Sequence, residues 1–145
     1  MEKMALEKTF VMFKPDCMKK GALGHIVHRL AEAGLKLKAL KMVWLDDAAL
    51  DTHYAHHKGK PFFPVFKEFM KSAPVVMSIW EGDGAVAKVR DLCGPTDSTK
   101  APKGSIRGDF GKDIQENIIH ASDSVETAEK EIERFFTAKE IFDWA

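Results

Sequence analysis

A run of seven residues at positions 74–80, PVVMSIW, limits the fold of this chain more than any other segment. It is apolar almost throughout, as expected of a central strand that is covered on both faces. A chain of 145 residues has the size of one ordinary domain, so we expect a single domain over residues 1–145. The run therefore predicts a strand in the middle of one sheet.

Three further segments are predicted to be strands. Residues 8–14, KTFVMFK, are rich in strand-forming residues and are stopped by Pro15. Residues 35–45 alternate between apolar and polar and then change phase near Leu40, which predicts one solvent-facing side and a bulge. Residues 117–120, NIIH, are predicted to form a short strand.

Apolar residues at helical spacing lie between these strands. One helix is expected to end at Gly34, where a positive φ is common. Another is expected to begin at Asp46 or Asp47, and the last at Asp123, with Glu126 completing a start that resembles a capping box. The predicted helices cover residues 23–33, 46–54, 61–70, 86–92 and 123–135.

The order of these elements is strand, helix, strand, helices, strand, helix, loop, strand, helix. Four strands interleaved in this way favour an α+β fold, in which helices pack on one face of an antiparallel sheet in the split βαβ arrangement. A doubly wound parallel sheet is the competing architecture, but four short strands and a long late loop fit it less well. That loop, residues 94–116, has no periodicity, and loops of this length inside a compact domain are usually functional.

Charge and apolar content exclude several classes of protein. The 22 Lys and Arg residues balance 22 Asp and Glu residues, so binding to nucleic acid through the overall field is not expected. No apolar run approaches the roughly 20 residues of a membrane helix, and residues 1–10 contain no signal-peptide core. Cys17 and Cys93 lie far apart without metal-ligand spacing, which indicates two free thiols in a cytoplasmic protein.

His120 is the first candidate for chemistry, because it ends an apolar strand immediately before a predicted helix. An imidazole has an unperturbed pKa of about 6.5, so a neutral nitrogen is available at pH 7. A strand end that faces a helix N-terminus also suits an anion. Glu131 can accept a hydrogen bond from His120 and leave the other ring nitrogen free to attack. A hydrogen-bonded structural histidine is the alternative.

Positively charged residues near the ends of predicted strands and helices suggest a set of side chains that binds phosphate. Both common glycine-rich phosphate loops are absent from the sequence, so side chains would have to bind the phosphate. Each cation by itself is compatible with a solvated surface charge, and only the combination points to phosphate. The candidate set is Lys14, Arg90, Thr96, Ser105, Arg107 and Asn117.

The segment HYAHHKGKPFF at positions 53–63 offers two kinds of site. His53 and His57 are four residues apart, a helical spacing that can hold zinc, but no HExxH glutamate or obvious third ligand accompanies them. A polar helix face is therefore favoured over a metal site. Tyr54 and Phe62 are aromatics beside a Gly/Pro break that can stack on a base, with core packing as the alternative.

Four motifs together resemble the nucleoside diphosphate kinase family. They are TFVMFKPD near the start, HYAHHKGKPFF in the middle, SIRGDF before the histidine, and NIIHASDSVETAEKEI, which contains it. They occur in the family's order and spacing, and the resemblance covers residues 9–144.

The resemblance implies a ferredoxin-like sheet and transfer of the terminal phosphate of a nucleoside triphosphate to a diphosphate, by a ping-pong mechanism with broad base tolerance. His120 resembles the nucleophile that forms a phosphohistidine, Glu131 its orienting partner and Ser122 the serine that supports both. Phe62 resembles the aromatic on which the base lies, with Ile114 opposite. The implied phosphate and ribose contacts are Lys14, Tyr54, Arg90, Thr96, Arg107 and Asn117.

The resemblance also implies Mg²⁺ held mainly by the nucleotide phosphates, with no metal site on the protein itself. The expected partners are nucleotides and further copies of the chain, with a hexamer favoured over a tetramer. No membrane and no specific nucleic acid are expected, and the location is predicted to be cytoplasmic.

One geometric condition follows from strand alternation. Ile118 and His120 fall on one face of the last strand and Asn117 on the other, so Asn117 can reach the site only if the strand end bends. Two rival functions are an RNA-binding module and a nucleotide-binding regulator without catalysis. The RNA-binding signature K/R-G-F/Y-G/A-F-V is absent from the sequence, and every residue that the kinase chemistry needs is present.

Overall fold

The four predicted strands form one antiparallel sheet in the computed structural model, which describes residues 5–145. The strands are β1 (Leu6–Phe13), β2 (Lys36–Val43), β3 (Val75–Asp83) and β4 (Ile119–Ala121). Their order across the sheet is β2-β3-β1-β4, and each neighbouring pair is antiparallel. The α+β, ferredoxin-like fold is thereby confirmed, and residues 75–80 of the apolar run lie in the internal strand β3.

The five predicted helices are present, and two short ones were not predicted. Pro15 stops β1 as expected but also begins a helix, because proline is well suited to the first helical position. A second short helix lies within the expected loop 94–116. The last helix is capped by Ser124 rather than Asp123, since the Ser124 hydroxyl accepts the Thr127 N–H at 3.0 Å. The helices are α1 (Pro15–Lys19), α2 (Leu23–Glu32), α3 (Asp47–His53), α4 (Phe63–Met70), α5 (Ala85–Cys93), α6 (Ile106–Phe110) and α7 (Val125–Phe135).

The core consists of two clusters, one on each face of the sheet. In β1, Val11 and Phe13 pack with residues of α2 and α5, whereas Phe10 and Met12 pack with residues of α3 and α4. All four side chains are fully buried. The expectation that helices cover only one face is therefore wrong. A strand that is apolar on both sides requires cover on both sides.

The predicted bulge in β2 is present, slightly earlier than the expected phase change near Leu40. Leu37 pairs with Trp80 and Ala39 with Ile79, so Lys38 is the extra residue. Its ammonium is buried, lies 3.5 Å from a Glu81 carboxylate oxygen and donates to a backbone carbonyl near the C-terminus. The bulge therefore turns a charged side chain of an otherwise alternating strand towards a partner.

Close backbone approaches hold the loop between α5 and β4. A Cβ on Gly108 would lie 2.0 Å from the carbonyl oxygen of Pro102, and one on Gly111 would lie 2.1 Å from the hydroxyl of Ser98. Neither position tolerates a side chain without movement of the loop. The tight packing fixes α6, and with it Arg107.

Two expectations from composition can be compared with the structure. Cys17 and Cys93 are free and buried, as predicted. Burial raises the pKa of the Cys17 thiol to about 12 and that of the Cys93 thiol to about 11, so neither supplies a ready thiolate. No helix in residues 5–145 is long and apolar enough to cross a membrane, and residues 1–4 of the segment examined for a signal peptide lie outside the described residues.

Replacement of Gly108 by alanine should destabilise the protein. The added methyl group would overlap the Pro102 carbonyl, and such overpacking costs roughly 1–3 kcal/mol. Gly24→Ala is the matched control, because Gly24 lies within α2 with nothing within 4 Å of its Cβ position. That change should stabilise the helix by about 0.5–1 kcal/mol. Urea unfolding of both variants measures the difference, and equal midpoints would contradict the close approach.

Candidate active site

Most of the predicted site residues line one cavity beside the C-terminal end of β1 and the strand β4. The cavity has a volume of about 630 Å³. Ser122 is not in its wall but buried beneath it, and Phe62 lies outside the lining. Ser105 does not join the phosphate-binding set; its hydroxyl caps α6 by accepting the Gly108 N–H at 3.0 Å. The predicted residues that line the cavity are Lys14, Tyr54, Arg90, Thr96, Arg107, Ile114, Asn117, His120 and Glu131.

A hydrogen-bonded chain of three side chains orients His120. Its Nε2 lies 2.6 Å from Oε2 of Glu131, and the Ser122 hydroxyl donates to Oε1 of the same carboxylate at 2.6 Å. An ionised carboxylate only accepts, so His120 carries its proton on Nε2. Within residues 5–145 no protein group bonds to Nδ1, and the side chain is 26% exposed. The nitrogen with the free lone pair is therefore Nδ1.

The chain bends sharply just before His120. Ile118 has a φ of +75°, a conformation that β-branched residues rarely adopt. The carbonyl of Asn117 accepts a hydrogen bond from the N–H of Ile119 at 2.8 Å. This bond closes a three-residue γ-turn with Ile118 at its centre. The strand end thus bends as the alternation argument required, and Asn117 reaches the cavity.

Neighbouring groups hold this γ-turn in place. The buried carboxylate of Asp16 accepts the N–H of Ile118 at 3.0 Å. The N–H of Lys14 donates to the Ile118 carbonyl at 2.9 Å. Arg107 donates through its guanidinium to the carbonyls of Asn117 at 3.3 Å and Ile119 at 2.7 Å. Both polar groups of the strained residue are therefore satisfied, which is what lets the conformation persist.

Lys14 is a buried cation at the base of the cavity. Its ammonium donates to the Asn117 side-chain oxygen at 2.7 Å and to the Gln115 carbonyl at 2.6 Å. Burial lowers the pKa of Lys14 to about 8, and the charge of Asp16 opposes this shift only in part. The Asn117 amide nitrogen in turn donates to the Thr96 carbonyl at 2.9 Å. A positive charge with neutral partners can attract an anionic ligand.

Two arginines add charge to the same cavity in different ways. Arg107 is buried, and its guanidinium donates hydrogen bonds to backbone carbonyls, including that of Gly94 at 3.0 Å. Three of its five N–H groups are committed in this way, and the others remain for the cavity. Arg90 and Thr96 are exposed residues of the lining. The cavity thus combines a fixed guanidinium with one in contact with solvent.

Aromatic and apolar groups are exposed near the cavity. Phe62 is 39% exposed and Ile114 is 60% exposed. The ring of His57 packs edge-on against Phe62, with 5.0 Å between centroids, and stacks on Tyr54 at 5.9 Å. Tyr54 is buried, and burial raises its pKa. Phe62 is therefore partly exposed beside the cavity, and its stacking on a base stays a prediction.

His53 is part of the cavity wall, although sequence reasoning assigned it no role beyond the zinc alternative. The His, Cys, Asp and Glu groups of residues 5–145 that lie at metal-ligand distances are His53, His120 and Glu131, so His57 does not complete a zinc site with His53. Arg134, which donates to His53, adds a positive charge that opposes a cation there. The sequence feature that could have placed His53 in the wall is its position three residues after Leu50, on the buried face of α3.

Removal of the Asp16 carboxylate should loosen the γ-turn. Asp16→Ala leaves the Ile118 N–H buried and unpaired, which costs about 1–3 kcal/mol. Asp16→Asn keeps an acceptor oxygen in the same place and should retain most of the stability. Denaturant unfolding at pH 7 separates the two, and equal losses in both variants would mean that the charge matters rather than the accepted hydrogen bond.

Comparison with known proteins finds relatives over most of the chain. The family model "Nucleoside diphosphate kinase" matches residues 7–141. The chain is 50% identical over 139 residues to the nucleoside diphosphate kinase of Parabacteroides distasonis, covering 96% of this chain and 91% of that protein. It is 51% identical over 138 residues to that of Hyperthermus butylicus, covering 95% and 97%.

Solved structures give the same result. A halophilic nucleoside diphosphate kinase from Halobacterium salinarum, in complex with CDP, matches with a TM-score of 0.93 and 43% identity, covering 97% of this chain and 94% of that one. The Aquifex aeolicus nucleoside diphosphate kinase matches with a TM-score of 0.89 and 45% identity, covering 94% and 99%. With the fold, the family model and close relatives in agreement, the chain belongs to the nucleoside diphosphate kinase family, enzymes that transfer phosphate between nucleotides.

Proposed function

We propose that this enzyme transfers the terminal phosphate of a nucleoside triphosphate to a nucleoside diphosphate through a phosphohistidine at His120, by a ping-pong mechanism. The observation that supports this most is the 2.6 Å contact between His120 Nε2 and Glu131, which leaves Nδ1 as the nucleophile. In the first half-reaction the Nδ1 lone pair forms a bond to the terminal phosphorus. The bond from that phosphorus to the bridging oxygen breaks, and the diphosphate leaves with the oxygen. The second half-reaction reverses these steps with another diphosphate.

No proton has to move during the transfer. The proton on Nε2 stays there, and the positive charge that develops on the ring faces the Glu131 carboxylate. Ser122 holds that carboxylate from its other oxygen. The protein therefore mainly positions the ring and stabilises charge, which is what phosphoryl transfer requires.

Cations of the cavity are proposed to neutralise the transferring phosphate. Lys14, Arg90 and Arg107 all line the wall that contains His120. Preorganised positive groups in a partly enclosed site stabilise the charge that spreads over the phosphoryl oxygens. Tyr54, Thr96 and Asn117 complete the proposed phosphate and ribose contacts.

Broad base tolerance follows from the way the base would be held. Phe62 offers an exposed ring face and Ile114 an exposed apolar side chain. Stacking does not discriminate strongly, because every base has a π-face. We therefore expect adenine, guanine and pyrimidine nucleotides all to be accepted.

Mg²⁺ is proposed as the cofactor, held mainly by the nucleotide phosphates. The donors present fit this arrangement, since Mg²⁺ usually binds substrate phosphates and one or two carboxylates while it keeps several waters. Glu131 is engaged by His120 and Ser122, so Asp123 is the cavity carboxylate that can contribute. When bound, Mg²⁺ offsets phosphate charge.

We also propose a homo-oligomer, with a hexamer favoured over a tetramer. The support is the edge strand β2 and the residue that follows it, where Leu40, Met42 and Trp44 are each more than half exposed. Exposed apolar groups along a sheet edge are normally covered by a partner. Native mass measurement would count the subunits. The cytoplasmic location stays a prediction.

Replacement of His120 by alanine should abolish turnover and leave the fold intact. The wild-type protein incubated with γ-labelled ATP should carry an acid-labile, alkali-stable label that GDP removes. His120→Ala should show no such label and a kcat reduced by at least about 10⁴-fold. His28→Ala is the control, because His28 lies on the surface with 73% of its side chain exposed. Retention of both half-reactions without His120 would refute the proposed role.

Activity should decline as Lys14 loses its proton. Its pKa in the free enzyme is about 8, so kcat/KM should fall above that pH as the positive charge disappears. A bound phosphate favours charged Lys14, so the corresponding decline in kcat should come at higher pH. Steady-state kinetics between roughly pH 6 and pH 10 measure both. An unchanged alkaline limb in Lys14→Gln would assign the titration to another group.

A further inference from the structure

Arg134 enters the cavity from α7 without a part in the mechanism described above. Its guanidinium lies 3.0 Å from Nδ1 of His53. The two residues are 81 positions apart and come from α7 and α3, so only the tertiary fold brings them together. The contact joins a surface arginine to a histidine whose side chain is only 3% exposed.

This contact determines where His53 carries its proton. A guanidinium has five N–H donors and no acceptor, and it stays charged in proteins. Nδ1 of His53 must therefore accept, and the ring proton must lie on Nε2. That nitrogen is buried, has no hydrogen-bond partner and lies 3.6 Å from Oε2 of Glu131.

The proton on Nε2 matters because Glu131 Oε2 also accepts from His120. With Arg134 in place, an N–H of His53 faces the carboxylate and is attracted to it. With the proton on Nδ1 instead, a lone pair would face Glu131 and repel it. A doubly protonated His53 would pair with Glu131 and compete with His120 for the same oxygen.

The surroundings of His53 keep the ring neutral. From α7 it faces Arg134, Glu131 and the ring of Phe135; from β4 it faces His120, with 4.9 Å between ring centroids. The other neighbours are Phe10 of β1, Tyr54, and His56 of the turn that follows α3. Burial lowers the pKa of His53 to about 2, with smaller contributions from His120, Arg134 and His56.

We propose that Arg134 is a positioning residue that, by fixing the tautomer of His53, keeps the Glu131 carboxylate available to His120. The proposal rests on the phosphohistidine mechanism for its effect on rate. The tautomer itself is independent of that mechanism and can be observed in the resting protein.

Nitrogen NMR of the ¹⁵N-histidine-labelled protein tests the tautomer directly. The chemical shifts of a neutral ring show which nitrogen carries the proton. We expect His53 to have its proton on Nε2 in the wild type and in Arg134→Lys, which keeps a donor. In Arg134→Met we expect an appreciable fraction with the proton on Nδ1. A proton on Nδ1 in the wild type, or an unchanged tautomer in Arg134→Met, would overturn the proposal.

Kinetics test the consequence for Glu131 and His120. In Arg134→Met the rate of the first half-reaction should fall roughly 10-fold with little change in KM, and Arg134→Lys should restore most of it. Lys130→Met is the matched control, since it removes a positive charge from the same wall of α7 but Lys130 pairs with Glu126. A similar loss in Lys130→Met would mean that the field of the cavity, and not the contact with His53, is responsible.

A double-mutant cycle shows whether Arg134 acts through His53. His53→Gln places a side-chain amide near Glu131 that has no tautomer to fix. In that background Arg134→Met should change the rate less than twofold, because the route of its effect is gone. Independent losses that multiply, or a raised KM in Arg134→Met, would show direct contact with the nucleotide and refute the proposal.

Failure of the proposal is distinguishable from failure of the proposed function. If the wild type forms the phosphohistidine while the tautomer is unaffected by Arg134, only the role of Arg134 is refuted. If no label appears on wild-type His120, the phosphohistidine mechanism is refuted.

Discussion

The accepted hydrogen bond from the Ile118 N–H to the buried carboxylate of Asp16 is the contact on which the site depends. It holds a β-branched residue at positive φ, a conformation that costs of order 1–3 kcal/mol. Without that turn, strand alternation would direct Asn117 away from the cavity and away from Lys14. The same turn sends its carbonyls towards Arg107, so one local distortion sets the positions of an amide, an ammonium and a guanidinium.

Burial of charge near this turn is costly for the folded protein. The pKa of Lys14 falls from 10.5 to about 8 on folding, so the unfolded chain binds more protons between these values. Stability should then increase as pH rises from 8 towards 10.5, and the charged lysine costs roughly 3 kcal/mol below that range. A lysine in a structural ion pair would have its charge compensated within the folded protein. A lysine that binds a phosphate is compensated only when the phosphate is present. This cost is consistent with the phosphate-binding role proposed for Lys14.

Sequence reasoning identified the strands, five helices and the convergence of His120, Glu131 and all three predicted cations, because these follow from local periodicity and from positions at element ends. It could not identify contacts that depend on packing between distant segments. The pairing of His53 with Arg134 and the capping role of Ser105 depend on how α3, α6 and α7 lie in three dimensions. The presence of helices on both faces depends on tertiary packing in the same way, since the residues of β1 alternate between two cores.

The sheet order fits the position of His120, the proposed nucleophile, on β4 rather than on a longer strand. β4 is an edge strand of three residues that, within residues 5–145, pairs with β1 alone, so a γ-turn at its start interrupts few ladder hydrogen bonds. The same turn in β3 would break pairing with both β1 and β2 and expose buried backbone groups. An edge strand also has one side open, which leaves room for the cavity of about 630 Å³ beside the ring of His120. At this position the fold can hold the strained Ile118, leave the ring of His120 open to the cavity and support β4 by its pairing with β1.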